Sequence, residues 1–194
     1  MPLPDVPQTR VYLDILNDKL PEKKVLHCIS TTEHLLSFAP RLALDLDKAL
    51  AAGLLHDICR EFKDGKLLRK AEEFGLPISA VEQAKPNLLH GPLAAEVCRK
   101  KFALDDDEIY EAIFWHTTGK PDFCRLGQAL YVADFSEPTR DYPEAEHARH
   151  LLVKKDFNAA LLYVARVKID FFRNKKVCAP MAEEFLRWVE KELT

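Results

Sequence analysis

Glycine is scarce in this chain, with 6 among 194 residues. No glycine-rich phosphate loop and no GxSxG elbow can be found, which argues against a P-loop nucleotide site and a serine-hydrolase nucleophile. No stretch alternates polar and apolar residues for long enough to predict a strand. No apolar run approaches the roughly 18 residues that would cross a bilayer. The opening MPLPDVPQTR lacks the charged-then-apolar pattern of a secretory leader, so neither membrane nor export is expected. The five cysteines (Cys28, Cys59, Cys98, Cys124 and Cys178) form an odd set without a CxxC pair. Scattered on apolar helical stretches, they read as buried thiols of a reducing compartment, with the cytoplasm expected. An excess of positive charge is also missing. The net charge is −3 and the pI about 6.2, so no nucleic-acid polymer is expected as partner, and a polyanion would be met by a local cationic pocket.

Helix formers dominate what is present, and start and stop signals divide the chain. A short helix is expected after Thr9. Pro21 suits the first turn of a second, carrying Val25, Leu26, Ile29 and Leu36 and stopping before Pro40. Asp45 is placed to cap a third, Asp64 and Gly75 bracket a fourth, and Ser79 caps a short fifth. A sixth surrounds Leu93 to Val97, Asp105 opens a seventh, and an eighth spans Leu126 to Ala133. Two or three more follow Pro143. The reading is all-α, divided into an N-terminal helical segment 1–20, a main domain 21–173 and a C-terminal helix 174–194.

Seven histidines are present, and four share a setting. His56-Asp57 closes LAAGLLHD, His27 lies near the start of the preceding long helix, His90 precedes Gly91-Pro92, and His116 ends EAIFWH. Asp134 ends ALYVAD in the same way. Each is a polar group carried by an otherwise core-facing helix. Singly, each has a plain structural reading: a hydrogen-bonded core imidazole, a helix-end Asp57, an Asp134 capping the turn at Ser136-Glu137. Together they are harder to explain, because buried carboxylates are unstable unless paired or bound to metal. A divalent cation would neutralise the charge while the imidazoles coordinate through nitrogen. Adjacent His56 and Asp57 serve one ion only if their helix ends or distorts there, or if Asp57 reaches a second ion. His34, His147 and His150 read as solvated or incidental. Asp105-Asp106-Asp107-Glu108 reads as a solvated helix start, and Cys28 as no nucleophile. The lysine pairs Lys23-Lys24, Lys154-Lys155 and Lys175-Lys176 read as solvated surface, the first lying near enough to His27 to face a phosphate.

These residues carry a resemblance. His27, His56-Asp57 and Asp134 resemble the H…HD…D signature of HD-domain phosphohydrolases. LLHDICR (54–60), LLHGPLAA (88–95), AIFWHTTGKP (112–121) and LYVADFSEPTR (130–140) look like the YqeK-type bacterial group, symmetrical diadenosine-tetraphosphate hydrolases. The resemblance covers roughly residues 20–170 and implies an HD helical bundle with a C-terminal helical extension. It further implies that His27, His56, Asp57 and Asp134 hold the principal metal, iron foremost and manganese next. His90 and His116 match positions facing the phosphates or holding a second ion. Thr117 belongs to the same phosphate pocket, and Arg140 matches a nucleotide-contacting arginine. Arg60 stands where the family often has lysine, which keeps the charge but changes the donor geometry. Near the C-terminus the chain departs from the family. Ala179-Pro180-Met181 and Glu183-Glu184 replace its His-Pro…Thr…Ala-Arg-Asn stretch, which touches nucleotide recognition rather than metal chemistry.

The expected reaction is phosphoanhydride hydrolysis by metal-activated water, with Asp57 central and one or two ions bound. Arg60, Arg140, His90 and His116 are candidates to stabilise the leaving oxygen. A dinucleoside polyphosphate is the expected substrate. A nucleoside monophosphatase is the alternative enzyme, and a non-catalytic nucleotide-binding domain the alternative of another class. The apolar C-terminal helices offer a face for a homodimer.

Overall fold

The computed structural model describes residues 1–177 and 179–192; Cys178 therefore lies outside the described residues. Among the described residues there are eleven α-helices and no strand. They are α1 (Pro7–Lys19), α2 (Glu22–Phe38), α3 (Leu46–Leu55), α4 (Asp64–Phe74), α5 (Ala80–Ala84), α6 (His90–Phe102), α7 (Asp107–Trp115), α8 (Arg125–Ser136), α9 (Pro143–Lys154), α10 (Phe157–Asn174) and α11 (Pro180–Glu192). Short 3₁₀ turns follow α2 and precede α6. No helix of the described residues is long and apolar enough to cross a membrane.

Capping chemistry sets most of these boundaries. The Asp45 carboxylate accepts from the backbone N–H groups of Asp47 and Lys48 and starts α3. Ser79 and Glu82 form a reciprocal capping box on α5. Gly75, at φ +74°, takes the left-handed conformation that ends α4. Three expected starts move. α1 begins at Pro7, two residues before Thr9, because proline is tolerated where no helical N–H is needed. Pro21 stands one residue outside α2, in extended conformation. α7 is capped by Asp106 rather than Asp105: Asp106 accepts from Glu108 and Ile109 N–H groups, while Asp105 pairs with Arg99. That acidic run is also less solvated than expected, since Lys48 sits 2.9 Å from Asp106 and 3.1 Å from Glu108.

Helices α2, α3, α7 and α8 pack on one another and form the centre. Leu35, Leu50, Leu54, Leu55, Ile113 and Leu130 are buried there. The α2–α3 approach depends on Gly53, where a Cβ would stand 2.6 Å from the Thr32 hydroxyl. Helix α1 lies against α3, α6 against α7, and α9 and α10 cover α8. Helix α11 lies on α10 and buries Phe185 and Val189 in the same core. Phe185 meets the rings of Tyr131 and Phe123 edge-on. Cys28, Cys59 and Cys98 are buried thiols, and burial pushes Cys59 up to about 12. The Cys124 sulfur accepts from the Gly127 N–H at the start of α8.

His147 and His150 are exposed. His34, expected as solvated or incidental, is instead largely enclosed. Its Nε2 lies 3.1 Å from the Ser136 hydroxyl, and its ring packs edge-on against Phe38. Burial, reinforced by Arg149 and opposed by Glu137, pushes His34 down to about 4. Its ring therefore stays neutral in the folded chain, while the unfolded chain takes up a proton near pH 6.5. Stability is fully present above that pH and falls as the pH drops toward 4. Between pH 7 and 4.5 the wild type should lose roughly 1–3 kcal/mol more than His34→Gln in paired denaturant titrations. Parallel curves for the two proteins would remove His34 from this account.

Candidate metal centre

The six expected polar residues meet in the centre, and most of them stand where a helix begins or ends. Helix α3 stops at Leu55; His56 follows it, and Asp57 lies in the ensuing turn. The ending helix turns both side chains inward, which a continuous helix would not do. His116 follows the end of α7, and His90 opens α6. His27 and Asp134 are delivered from within α2 and α8. His27, His56, Asp57, His90 and His116 are all buried, and Asp134 is nearly so.

Hydrogen bonding fixes the imidazole tautomers. A carbonyl only accepts, so His56 Nδ1 donates to Gly53 O and His116 Nδ1 to Ile113 O, both at 2.7 Å. His90 Nδ1 donates to Asn87 O in the same way. His27 Nδ1 faces the Glu137 carboxylate at 3.1 Å. In its neutral form each ring presents a bare lone pair at Nε2, and all four Nε2 atoms point at the two aspartates. His27 Nε2 is 3.1 Å from Asp134 Oδ1 and 3.9 Å from Asp57 Oδ2. His90 Nε2 is 3.2 Å, and His116 Nε2 3.7 Å, from Asp57 Oδ1. The Nε2 atoms of His90 and His116 stand 3.0 Å apart, and His56 Nε2 is buried with no hydrogen-bond partner among the described residues.

Lone pairs facing lone pairs and carboxylates repel unless a cation lies between them. The donor atoms fall into two sets, each within 4.8 Å throughout: His27, His56 and Asp57, and Asp57, His90 and His116. Asp134 adds to the first set, at 3.9 Å from His56 Nε2. Bonds of about 2.0–2.2 Å to N and O ligands place neighbouring donors roughly 3–4 Å apart, so this donor set fits a divalent ion. Asp57 turns one oxygen toward each set. Burial works against a charge on Asp57 and Asp134, but the surrounding imidazoles, joined at Asp134 by Lys168, outweigh it and hold both carboxyls well below their usual range. Burial likewise pushes His56 down to about 4, keeping it in the neutral form that a metal requires. For His27 burial is overcome by Asp134 and Glu137, which lift it to about 9. Those carboxylates demand a positive charge at that ring.

The remaining expected residues surround the donors. The Thr117 hydroxyl lies 3.2 and 3.3 Å from the Nε2 atoms of His116 and His90. Arg140 Nη2 is 3.2 Å from Asp134 Oδ1. Arg60 stands on the far side of His90, at 3.3 Å from Nδ1 and bonded to the Asn87 side chain. Lys23 and Lys24 join His27, Thr139 and Arg140 around a recess of about 240 Å³. From Thr117 a second cavity of about 500 Å³ opens, largely apolar, lined by Trp115, Phe114, Leu88, Pro92 and Met181 among others.

Two residues were missed in the sequence. Glu137 was taken only as part of a turn, yet it is buried and orients His27. Ser30 Oγ, Thr139 N–H and Thr139 Oγ1 all donate to its carboxylate, at 2.6–2.7 Å. These partners and His27 overcome burial and bring it down to about 2. Lys168 of α10 is the second. It continues the buried stripe of Leu161, Val164, Ala165 and Phe172, and a lone lysine in such a stripe was the available signal. Its Nζ donates to His116 O at 3.2 Å and lies 4.0 Å from Asp134 Oδ2. Burial pushes it down to about 8, opposed by Asp134. A carboxylate behind a metal-bound imidazole sharpens its orientation and basicity. Glu137→Gln should therefore weaken divalent-ion binding by about 10–100-fold, as read by competition with a fluorescent chelator. Unchanged affinity would show that Glu137 does not orient His27.

Comparisons with known proteins bear on the family and the fold. Residues 25–138 match the HD domain model. A protein of Staphylococcus aureus described as bis(5'-nucleosyl)-tetraphosphatase, symmetrical, is 28% identical over 137 residues, covering 71% of this chain and 70% of the relative. One of the same description from Halalkalibacterium halodurans is 29% identical over 163 residues, covering 84% and 86%. A crystal structure from Clostridium acetobutylicum, described as that of a predicted HD superfamily hydrolase involved in NAD metabolism, superposes with a TM-score of 0.88 at 26% identity. That match covers 93% of this chain and 96% of the other. With the matched segment spanning the helices that carry His27, His56-Asp57, His90, His116 and Asp134, the chain belongs to the HD-domain family.

Proposed function

We propose that this chain hydrolyses the central phosphoanhydride of dinucleoside polyphosphates, diadenosine tetraphosphate foremost, to give two molecules of ADP. The observation that carries the reading is the convergence of four imidazole lone pairs on two buried carboxylates, flanked by Arg140 and Thr117. The descriptions of the relatives select the substrate class.

In this reading His27, His56, Asp57 and Asp134 hold the principal ion, with iron preferred and manganese next. Asp57, His90 and His116 hold a second ion or face the phosphates. A divalent ion bound here supplies Lewis acidity and lowers the pKa of water toward neutrality. The protein groups do the rest. Asp57 shares its two oxygens between both donor sets and keeps them in register. Glu137 fixes the His27 ring, and the carbonyls of Gly53 and Ile113 fix His56 and His116, so little reorganisation is needed when charge develops. Arg140, with Lys23 and Lys24 along the same recess, neutralises phosphate oxygens. Arg60 adds positive charge behind His90. Thr117 stands where the donor cluster meets the apolar cavity, which has room for a nucleoside beside the phosphates. Ala179, Pro180 and Met181 line that cavity. The diverged C-terminal segment thus offers apolar contact in place of polar recognition. In the reaction the oxygen of water bonds to a central phosphorus, the bridging P–O bond breaks, and one ADP leaves as the other is completed.

The test is product analysis on protein loaded with iron or manganese. Diadenosine tetraphosphate should give ADP alone, and Asp57→Ala should lose turnover by about 10²–10³-fold, on the order expected for removing one charge-stabilising group, while keeping its helical circular-dichroism signal. ATP with AMP would place the cleavage at the wrong bond. Phosphate released only from monophosphates would replace this reading with a nucleotidase.

A further inference from the structure

Lys168 supports the charge on Asp134 and bonds the His116 carbonyl, yet its surroundings are unusual for a lysine. It lies on α10, beyond the matched segment that ends at residue 138, and its side chain is only 15% exposed. An ammonium carries three donors. One is used on His116 O at 3.2 Å. Asp134 Oδ2, at 4.0 Å, is beyond hydrogen-bond reach, and among the described residues Nζ makes no further hydrogen bond. The amine rests 3.7 Å above the centre of the Tyr131 ring, which attracts the charge but is only a weak acceptor for the remaining protons. A sheltered ammonium with unmet donors is costly unless a ligand completes it.

Its position says which ligand. His116 belongs to one donor set and Asp134 to the other, so Lys168 stands beside both. Arg140 flanks Asp134 at 3.2 Å and Glu137 at 3.5 Å, so Asp134 is shared between Arg140 and Lys168. When Asp134 shares its charge with an ion, Lys168 is left with still less compensation, and an anion bound at the cluster would restore it.

We propose that Lys168 is a phosphate-contacting residue, donating from α10 to a phosphate of the substrate held at the junction of the two donor sets. The inference rests on the phosphohydrolase reading but not on which nucleotide is cleaved. Its probe is inorganic pyrophosphate, titrated by calorimetry into the manganese-loaded wild type, Lys168→Met and Lys168→Arg, with manganese content measured on each. Lys168→Gln serves as a second neutral variant should the methionine protein not fold. The expected result is unchanged manganese content and at least tenfold weaker pyrophosphate binding in the neutral variant, with part of the loss recovered by arginine. Equal pyrophosphate affinity in wild type and neutral variant would overturn the proposal, as would a metal-loaded wild type that binds no pyrophosphate. A parallel loss of manganese would also overturn it, since Lys168 would then act through Asp134. If pyrophosphate binding depends on Lys168 but diadenosine tetraphosphate yields no ADP, this inference stands and the substrate assignment alone fails.

Discussion

Two buried carboxylates surrounded by imidazole lone pairs set the terms for the rest of the molecule. Without positive charge among them, Asp57 and Asp134 would repel the bare nitrogens of His27, His56, His90 and His116, and the Nε2 atoms of His90 and His116 would oppose each other at 3.0 Å. Buried charge of that kind costs several kcal/mol per group unless compensated. The surrounding core does not relieve the conflict; it enforces it. Outer-shell carbonyls and Glu137 occupy each Nδ1, and this directs every Nε2 inward.

The helical architecture makes that arrangement possible because functional groups are taken mainly from helix ends. A continuous α3 would separate His56 and Asp57 by about 100° of rotation. Ending the helix at Leu55 lets both face the cluster. The close α2–α3 approach over Gly53 brings the His27 and His56 rings to 5.5 Å. Gly91 does the same beside His116, where a Cβ would stand 3.0 Å from the ring. The apolar centre excludes water, and electrostatic interactions inside it gain strength accordingly.

Helix boundaries were legible wherever one residue type had one job. Asp45, Ser79 and Gly75 each stand alone at a boundary, and each caps as its chemistry suggests. Asp105 and Asp106 were not separable, because either carboxylate can cap, and the choice is made by Arg99 and Lys48 from other helices. The histidines and aspartates of the cluster stood out as polar residues ending apolar stretches. His34 did not, because its partner Ser136 is 102 residues away. Glu137 has the same difficulty: its bond to His27 spans 110 residues, and nothing local separates it from an ordinary turn glutamate. Lys168 was legible in principle as a charge inside an apolar stripe, but its meaning appears only once α10 is laid over α8.

The account depends most directly on a cation at the cluster. Metal-free protein should be titrated anaerobically with manganese and with iron(II), following bound ion per chain, melting temperature and the imidazole proton signals of His56 and His116. At least one ion per chain, a higher melting temperature and perturbation of both imidazoles are predicted, with binding lost in His56→Ala. A protein that takes up neither ion, and melts at the same temperature with and without chelator, would contradict it.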